Sequence, residues 1–241
     1  MDLIAYIPAR AGSKRVPRKN VRLLDGKPVV CHVIEAIQRS GLAKAVAVST
    51  DDRDIKRIAE SAGAVVLGLR DPELSDDRTT LMELLKKDTP RYLKALGMKD
   101  SRATVLFSLA TAALVDAGTY QKAHREFVKK KASILVATTK FSHNPYRALI
   151  EASGGRWRPL FPKYLLKRSQ DLPRTQVDAG LFYFLNFSKA VRHAGHWFDM
   201  GKGLCCYPVP DPAAVDVDTE EDWLKLEEKY KALCGIKYKR S

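Results

Sequence analysis

Along the first 140 residues, short apolar runs alternate with segments of helical character, and that alternation restricts the chain to few folds. Leu3–Ile7, Ala45–Ser49, Ala64–Leu67, Thr104–Leu109 and Ile134–Ala137 each read as a buried strand. Runs of this length without polar alternation suit strands covered on both faces. Between them, Val29–Arg39 sets Val30, Val33, Ile34 and Ile37 at helical spacing, with Pro28 suited to the first turn and Gly41 to the end. Thr50-Asp51-Asp52 is placed to cap a helix from Arg53 to Ala62, which Gly63 closes. Further helices are expected from Thr79 to Leu96, where Pro90 should kink or divide the span, and from Ala117 to Lys131. The order predicts an α/β fold: a doubly wound, mostly parallel sheet with right-handed crossovers and helices on both faces.

From Lys140 to Asp178 the alternation fails, broken by Pro145, Gly154-Gly155, Pro159, Pro162 and Pro173. The expected structure is a set of hairpins and long loops inserted into the α/β body, a type of region that forms lids or subunit contacts. Leu181–Leu185 and Cys205–Pro208 read as late strands, and Glu220–Leu233 as a closing helix. The 241 residues, 45% hydrophobic, suffice for a single domain over 1–241 with an irregular insertion at about 140–178. No window approaches the roughly 18 to 20 apolar residues of a membrane span, and no basic leader precedes the first apolar run. The expectation is a cytoplasmic protein without a membrane partner. Cys31, Cys205, Cys206 and Cys234 show neither zinc spacing nor a disulfide framework, and most are expected as buried thiols.

A net charge of +14 suits nucleic acid, an acidic membrane or small anions. Its distribution favours the last. Lys129-Lys130-Lys131 reads as a solvated helix end, and Lys237, Lys239 and Arg240 as a frayed tail. No basic stripe interleaved with aromatics is present, as a single-strand binder needs, so no nucleic-acid partner is expected. The densest cluster lies directly after the first strand. There Ala9, Ala11, Gly12 and Ser13 leave room for the backbone to approach a ligand, and Arg10, Lys14, Arg15, Arg18 and Lys19 surround them. Backbone N–H groups of such a turn can form a nest for anionic oxygens, and the cations add charge-assisted hydrogen bonds. The loop lacks the spacing of a Walker P-loop or of a dinucleotide fingerprint. Its position at a strand's carboxyl end is where open α/β sheets bind ligands, and a polyphosphate is the ligand expected; a plain charged turn is the alternative.

Asp216-Val217-Asp218-Thr219 is the second constellation. Residues i and i+2 share a face in an extended chain, so both carboxylates can converge on Mg²⁺, which completes its octahedron with water and phosphates. Asp218 or Thr219 could equally cap the last helix, and the two roles are compatible. Asp51 has the same dual reading. Arg168-Ser169-Gln170-Asp171 offers a guanidinium fork suited to a carboxylated, hydroxylated ligand, or a surface turn.

Taken in order, these segments resemble the CMP-nonulosonate cytidylyltransferases, the family that includes CMP-sialic acid synthetases. Ile7–Asn20 resembles the family's nucleotide loop, Val48–Asp52 its second strand end, Leu69–Asp77 its R-P-x-E-L segment and Val215–Trp223 its D-x-D-T metal motif. Asn144–Leu149, the run Arg168–Pro173 and Asp178-Ala179-Gly180 are most similar to the branch acting on pseudaminic acid. Ala110–Ala113, Leu181 and Tyr146 depart from the family pattern at positions that bear on base and sugar selectivity. The resemblance implies a Rossmann-like fold, usually dimeric, with the inserted region supplying subunit contacts. It implies CTP and an acidic nine-carbon sugar as substrates, and Mg²⁺ held by Asp216 and Asp218. By the same resemblance Arg10, Ser13, Lys14 and Lys19 hold the triphosphate. Asn20, Arg70, Arg168, Gln170 and Asp178 contact sugar or nucleotide, and Asp51 and Thr111 lie near base or ribose. The alternatives it leaves are a sialic or legionaminic acid substrate, or a repurposed nucleotide-binding relative.

Overall fold

The computed structural model describes residues 2–193 and 196–238, and the basic tail at Lys239 and Arg240 lies outside them. Its elements are β1 (Asp2–Pro8), α1 (Val29–Ser40), β2 (Val46–Ser49), α2 (Arg53–Ser61), α3 (Leu81–Glu83), α4 (Thr89–Ala95), β3 (Ala103–Ser108), α5 (Ala117–Lys129), β4 (Ile134–Thr139), β5 (Leu149–Ala152), β6 (Arg156–Pro159), β7 (Val177–Asn186), α6 (Phe187–Arg192), β8 (Leu204–Pro208) and α7 (Glu220–Tyr238). Six strands form one sheet in the order β8-β4-β7-β3-β1-β2. All neighbours run parallel except β7, which is antiparallel to both β3 and β4. The fold is therefore the expected mostly parallel α/β sheet with one reversed strand.

The apolar runs are buried because both faces are covered. One face carries Leu3, Ala5, Ile7 and Val48 against Val30, Val33, Ile34 and Ile37 of α1. The other packs Ile4, Tyr6, Val105 and Phe107 against Leu84, Leu85 and Leu93. A smaller cluster joins Val16, Val29, Val215, Val217 and Trp223, bringing the loop after β1 to the segment before α7.

Three local expectations need correction, and the division expected around Pro90 takes a particular form. Ala64–Leu67 is no strand; it contributes a single parallel bridge, Val65 to Ala47, because the chain turns away at Gly68 with φ +88°. Pro28 is the residue before α1, with φ −54° and ψ 133°, and not part of its first turn. The span around Pro90 is divided, as expected, but by a π turn at Leu84–Asp88 and not by a break. The cysteines are mostly not buried: Cys31 alone is, whereas Cys205 and Cys234 are half-buried and Cys206 is exposed, since β8 is an edge strand.

The inserted region contains the antiparallel hairpin β5–β6 and several 3₁₀ turns. Leu149, Trp157, Leu160, Leu165 and Leu166 are exposed on it. Among the described residues no helix is long and apolar enough to cross a membrane.

Candidate active site

The parallel strands bring their carboxyl ends to one side of the sheet, and there the loop after β1 borders an open cleft of about 290 Å³. Arg10, Ser13, Lys14, Lys19, Asn20, Arg70, Thr111 and Asp218 all line it. The loop is fixed at several points. Ala9 is fully buried and donates its N–H to the Ser49 carbonyl at 2.9 Å. Asn20, also buried, donates from Nδ2 to the Arg10 carbonyl at 2.9 Å and draws the two ends of the loop together. Val16 enters the apolar cluster with Val217 and Trp223.

Asp51 does something the sequence reading did not anticipate. Helix α2 is capped by Asp52, whose carboxylate accepts from the N–H groups of Asp54 and Ile55. Asp51 instead accepts the Ala11 N–H at 2.9 Å, and Ser13 N–H turns back to the Ala11 carbonyl at 2.8 Å. The expected anion nest is thus partly filled by protein acceptors. A Cβ placed on Gly12 would meet only open space, so the loop remains approachable there.

Every cation of the loop faces a carboxylate. Arg10 Nη1 is 2.8 Å from Asp77 Oδ1, and Lys14 pairs with the other oxygen of Asp77. Arg15 Nη2 donates to Asp218 Oδ1 at 2.9 Å, and Lys19 Nζ lies 3.9 Å from the same oxygen while donating to the Val217 carbonyl. Arg18 pairs with Asp54 at 3.2 Å. Burial lowers the Lys19 pKa from its ordinary value, against the opposing pull of Asp218 and Asp216. Arg70 is 4% exposed and reaches the Ser49 carbonyl with Nη1 at 3.4 Å and Ser75 Oγ with Nε at 3.1 Å.

The acidic half follows from alternation. Val215 and Val217 are buried, so Asp216 and Asp218 turn to the opposite face; Asp218 lines the cleft, whereas Asp216 is exposed and does not line it. Thr219 caps the last helix: its hydroxyl accepts the Asp222 N–H at 3.2 Å while Asp222 accepts from the Thr219 and Asp218 N–H groups. Capping and site roles fall on different residues. Asp216 retains an open edge to solvent but sits directly over Gly180, whose φ is +61°; a Cβ there would lie 2.3 Å from Asp216 Oδ2. Burial first, then the neighbouring Asp218 and Asp178, push the Asp216 carboxyl up to about 6, with Lys19 opposing. Asp178 is held by the Gly180 N–H at 3.1 Å and by the Tyr183 hydroxyl at 2.6 Å.

Among the described residues no three metal-ligating side chains converge on one point. Two carboxylates fit a hard divalent cation that fills its remaining positions with water and phosphate oxygens. Burial first and neighbouring carboxylates second raise the Asp216 pKa, and an added cation would relieve the second of these.

A second cavity of about 370 Å³ adjoins the first at Leu81, and Asp178, Tyr183, Thr80 and Met82 line it. Arg168 and Gln170 do not line either cavity. They are exposed on the turn Ser169–Asp171, where Arg168 Nε pairs with Asp171 at 2.9 Å. Sequence reasoning missed Asp77, whose carboxylate clamps Arg10 and Lys14, and the Asp76 carbonyl, which accepts from Arg10 Nη1 at 2.7 Å. It also missed Tyr183, which the irregularity within β7, with Gly180 at φ +61° between them, brings beside Asp178.

Residues 4–141 match the family model described as cytidylyltransferase. The chain is 31% identical over 222 residues to the pseudaminic acid cytidylyltransferase of Campylobacter jejuni, covering 92% of this chain and 93% of that protein. It is 29% identical to the CMP-N,N'-diacetyllegionaminic acid synthase of Legionella pneumophila, over 94% of this chain and 95% of that one. Among solved structures, the CMP:2-keto-3-deoxy-manno-octonic acid synthetase complexed with CTP has the same fold, with a TM-score of 0.67 at 14% identity over 96% of this chain and 99% of that one. The 4-diphosphocytidyl-2C-methyl-D-erythritol synthase of Anaerococcus prevotii aligns with a TM-score of 0.60 at 15% identity, over 95% and 98%.

Proposed function

The chain belongs to the cytidylyltransferase family and is a nucleotidyltransferase, and on that premise we propose that it couples CTP to a nine-carbon α-keto acid sugar of the pseudaminic type. The products are the CMP-sugar and pyrophosphate. The observation that carries this reading is the meeting of the cationic loop with the acidic pair: Arg15 reaches Asp218 at 2.9 Å across 203 residues of chain. That contact supports triphosphate binding and a cation site side by side.

In the proposed reaction the sugar's anomeric hydroxyl bonds to the α-phosphorus, and the bond from that phosphorus to the bridging oxygen breaks. Pyrophosphate departs with the electron pair, and the hydroxyl proton is released to the medium. Arg10, Lys14 and Lys19 hold the triphosphate and neutralise the charge that builds on the leaving group. Ala9, Ala11, Gly12 and Ser13 let the phosphates approach the backbone. Asn20, Asp51, Arg70 and Thr111 border the nucleoside, and Asp178 with Tyr183 borders the acid. Asp216 and Asp218 would hold Mg²⁺, which when bound neutralises the α-phosphate and polarises the attacking hydroxyl. Positioning then supplies most of the remaining acceleration.

The exposed apolar residues of the inserted segment, Trp157 and Leu166 among them, support a homodimer formed through it. Arg168 and Gln170 would reach the acid from that segment once two chains meet. The reaction is placed in the cytoplasm, where CTP is available.

The test is Asp218→Ala, with fold checked by circular dichroism and pyrophosphate release followed with CTP, Mg²⁺ and pseudaminic, legionaminic or N-acylneuraminic acid. Loss of Mg²⁺-dependent turnover on one of these acids is expected, and undiminished turnover would sink the assignment. Wild-type binding of CTP without turnover of any of the three would favour a repurposed nucleotide-binding relative.

A further inference from the structure

The side of the sheet away from α1 contains a buried carboxylate with no contact to the cleft. Asp88 ends the π turn and is fully buried. Three donors converge on it: Tyr6 Oη at 2.7 Å, Ser49 Oγ at 2.6 Å and Arg91 Nη1 at 2.8 Å. Tyr6 lies near the end of β1 and Ser49 is the last residue of β2, so the carboxylate ties β1, which leads into the loop, to its neighbour β2. Tyr92, four residues on, adds a hydroxyl hydrogen bond to the Val48 carbonyl at 2.8 Å.

The π turn explains how Asp88 comes to be there. Pro90 has no N–H to donate, and Thr89 donates to the Leu84 carbonyl five residues back. That extra residue per turn rotates Asp88 inward, and π turns of this kind recur beside functional sites.

Ser49 is the link to the cleft. Its hydroxyl is held by Asp88, while its carbonyl accepts from Ala9 N–H at 2.9 Å and from Arg70 Nη1 at 3.4 Å. The next carbonyl, of Thr50, accepts the Arg70 N–H at 2.6 Å. One residue thus anchors both the first residue of the loop and the buried guanidinium. Arg91 extends the network to a further cavity that Arg70 and Asp51 also line. An apolar group would fill the same space without the cost of burying a carboxylate, so stability is a poor reason for Asp88.

We propose that Asp88 is a positioning residue for nucleotide binding, acting through Ser49 on Ala9 and Arg70. This rests on the CTP reading above. Asp88→Asn keeps the volume but replaces one acceptor oxygen with a donor, leaving at least one of the three donors unmatched. Ser49→Ala removes one hydroxyl and leaves the carbonyl in place, and serves if the first variant does not fold. Calorimetry with CTP and steady-state pyrophosphate release are measured alongside ligand-free melting. Both variants are expected to weaken CTP binding and raise KM for CTP by about tenfold, the scale of one hydrogen bond to a charged group. The KM for the acid and kcat should stay within about twofold of wild type. A lowered melting temperature with unchanged CTP affinity would overturn the proposal, because a merely structural role predicts that pattern. Failure of the wild-type chain to bind CTP is a different result, and it would remove the nucleotide reading itself.

Discussion

Gly180→Ala perturbs the acidic pair without removing a charged group. Two costs follow from the geometry. Alanine at φ +61° sits in the left-handed region, at about 1–2 kcal/mol. Its Cβ would also lie 2.3 Å from Asp216 Oδ2, against ordinary contact at 3.4 Å, so the carboxylate must retreat by 3.4 − 2.3 = 1.1 Å or the backbone must shift as far. A misplacement of about 1 Å at a reacting centre can lower turnover roughly a hundredfold. The expected outcome is a kcat for pyrophosphate release about a hundred times lower. A loss of a few degrees in melting temperature should accompany it, at about 2–4 °C per kcal/mol for a chain of this size. Gly41→Ala is the control: its φ is +66° with nothing within 4 Å of the added Cβ, so it carries the backbone cost without the clash. Equal melting shifts with activity lost only in the Gly180 variant would locate the effect at Asp216. Turnover and Mg²⁺ dependence within twofold of wild type in Gly180→Ala would refute the reasoning.

Two further outcomes are expected. Asp77→Asn releases Arg10 and Lys14 from their carboxylate, so CTP should bind severalfold tighter by calorimetry at low salt, and the gap should narrow as salt is added; weaker binding would show that Asp77 shapes the loop more than it competes for it. His124 packs against Phe127 and Phe184, and its Nε2 is buried without a hydrogen-bond partner among the described residues. Burial lowers its pKa below the ordinary 6.5, so the unfolded chain binds the proton more readily. Its contribution to stability is therefore present above about pH 6.5 and lost as pH falls from there through the folded-state pKa. His124→Leu should flatten the fall in urea midpoint across that window, and an unchanged pH slope would contradict the assignment.

The cationic loop and the acidic pair were readable in the sequence because each is local. Small residues and cations follow directly on a strand, and Val215 to Asp218 alternate in a way that fixes which side chains share a face. Long-range partners were not readable. Nothing in the spacing of Arg10 and Lys14 points to Asp77, and nothing in that of Asp51 points to the Ala11 N–H. Strand direction was equally hidden: Val177–Asn186 has the composition of any buried strand, and only the sheet reveals that it runs against its neighbours. Ala64–Leu67 has strand composition too, but the chain leaves the sheet after one bridge. Arg168 and Gln170 were chosen for their chemistry, and the fold of one chain does not bring them to the cleft.

The reversed strand has a consequence for how this protein could change. Because β4 and β7 are adjacent and antiparallel, with Thr139 paired to Val177, the long segment between them begins and ends at neighbouring points. Topologically it is an overgrown hairpin loop. It can be shortened, lengthened or exchanged without rethreading any crossover, whereas the loop after β1 is enclosed by strands on both sides. In the proposed reaction this makes the acceptor-facing part a replaceable cassette mounted on a fixed nucleotide platform. Grafting that cassette from one relative to another is one change by which such a chain could acquire a new sugar.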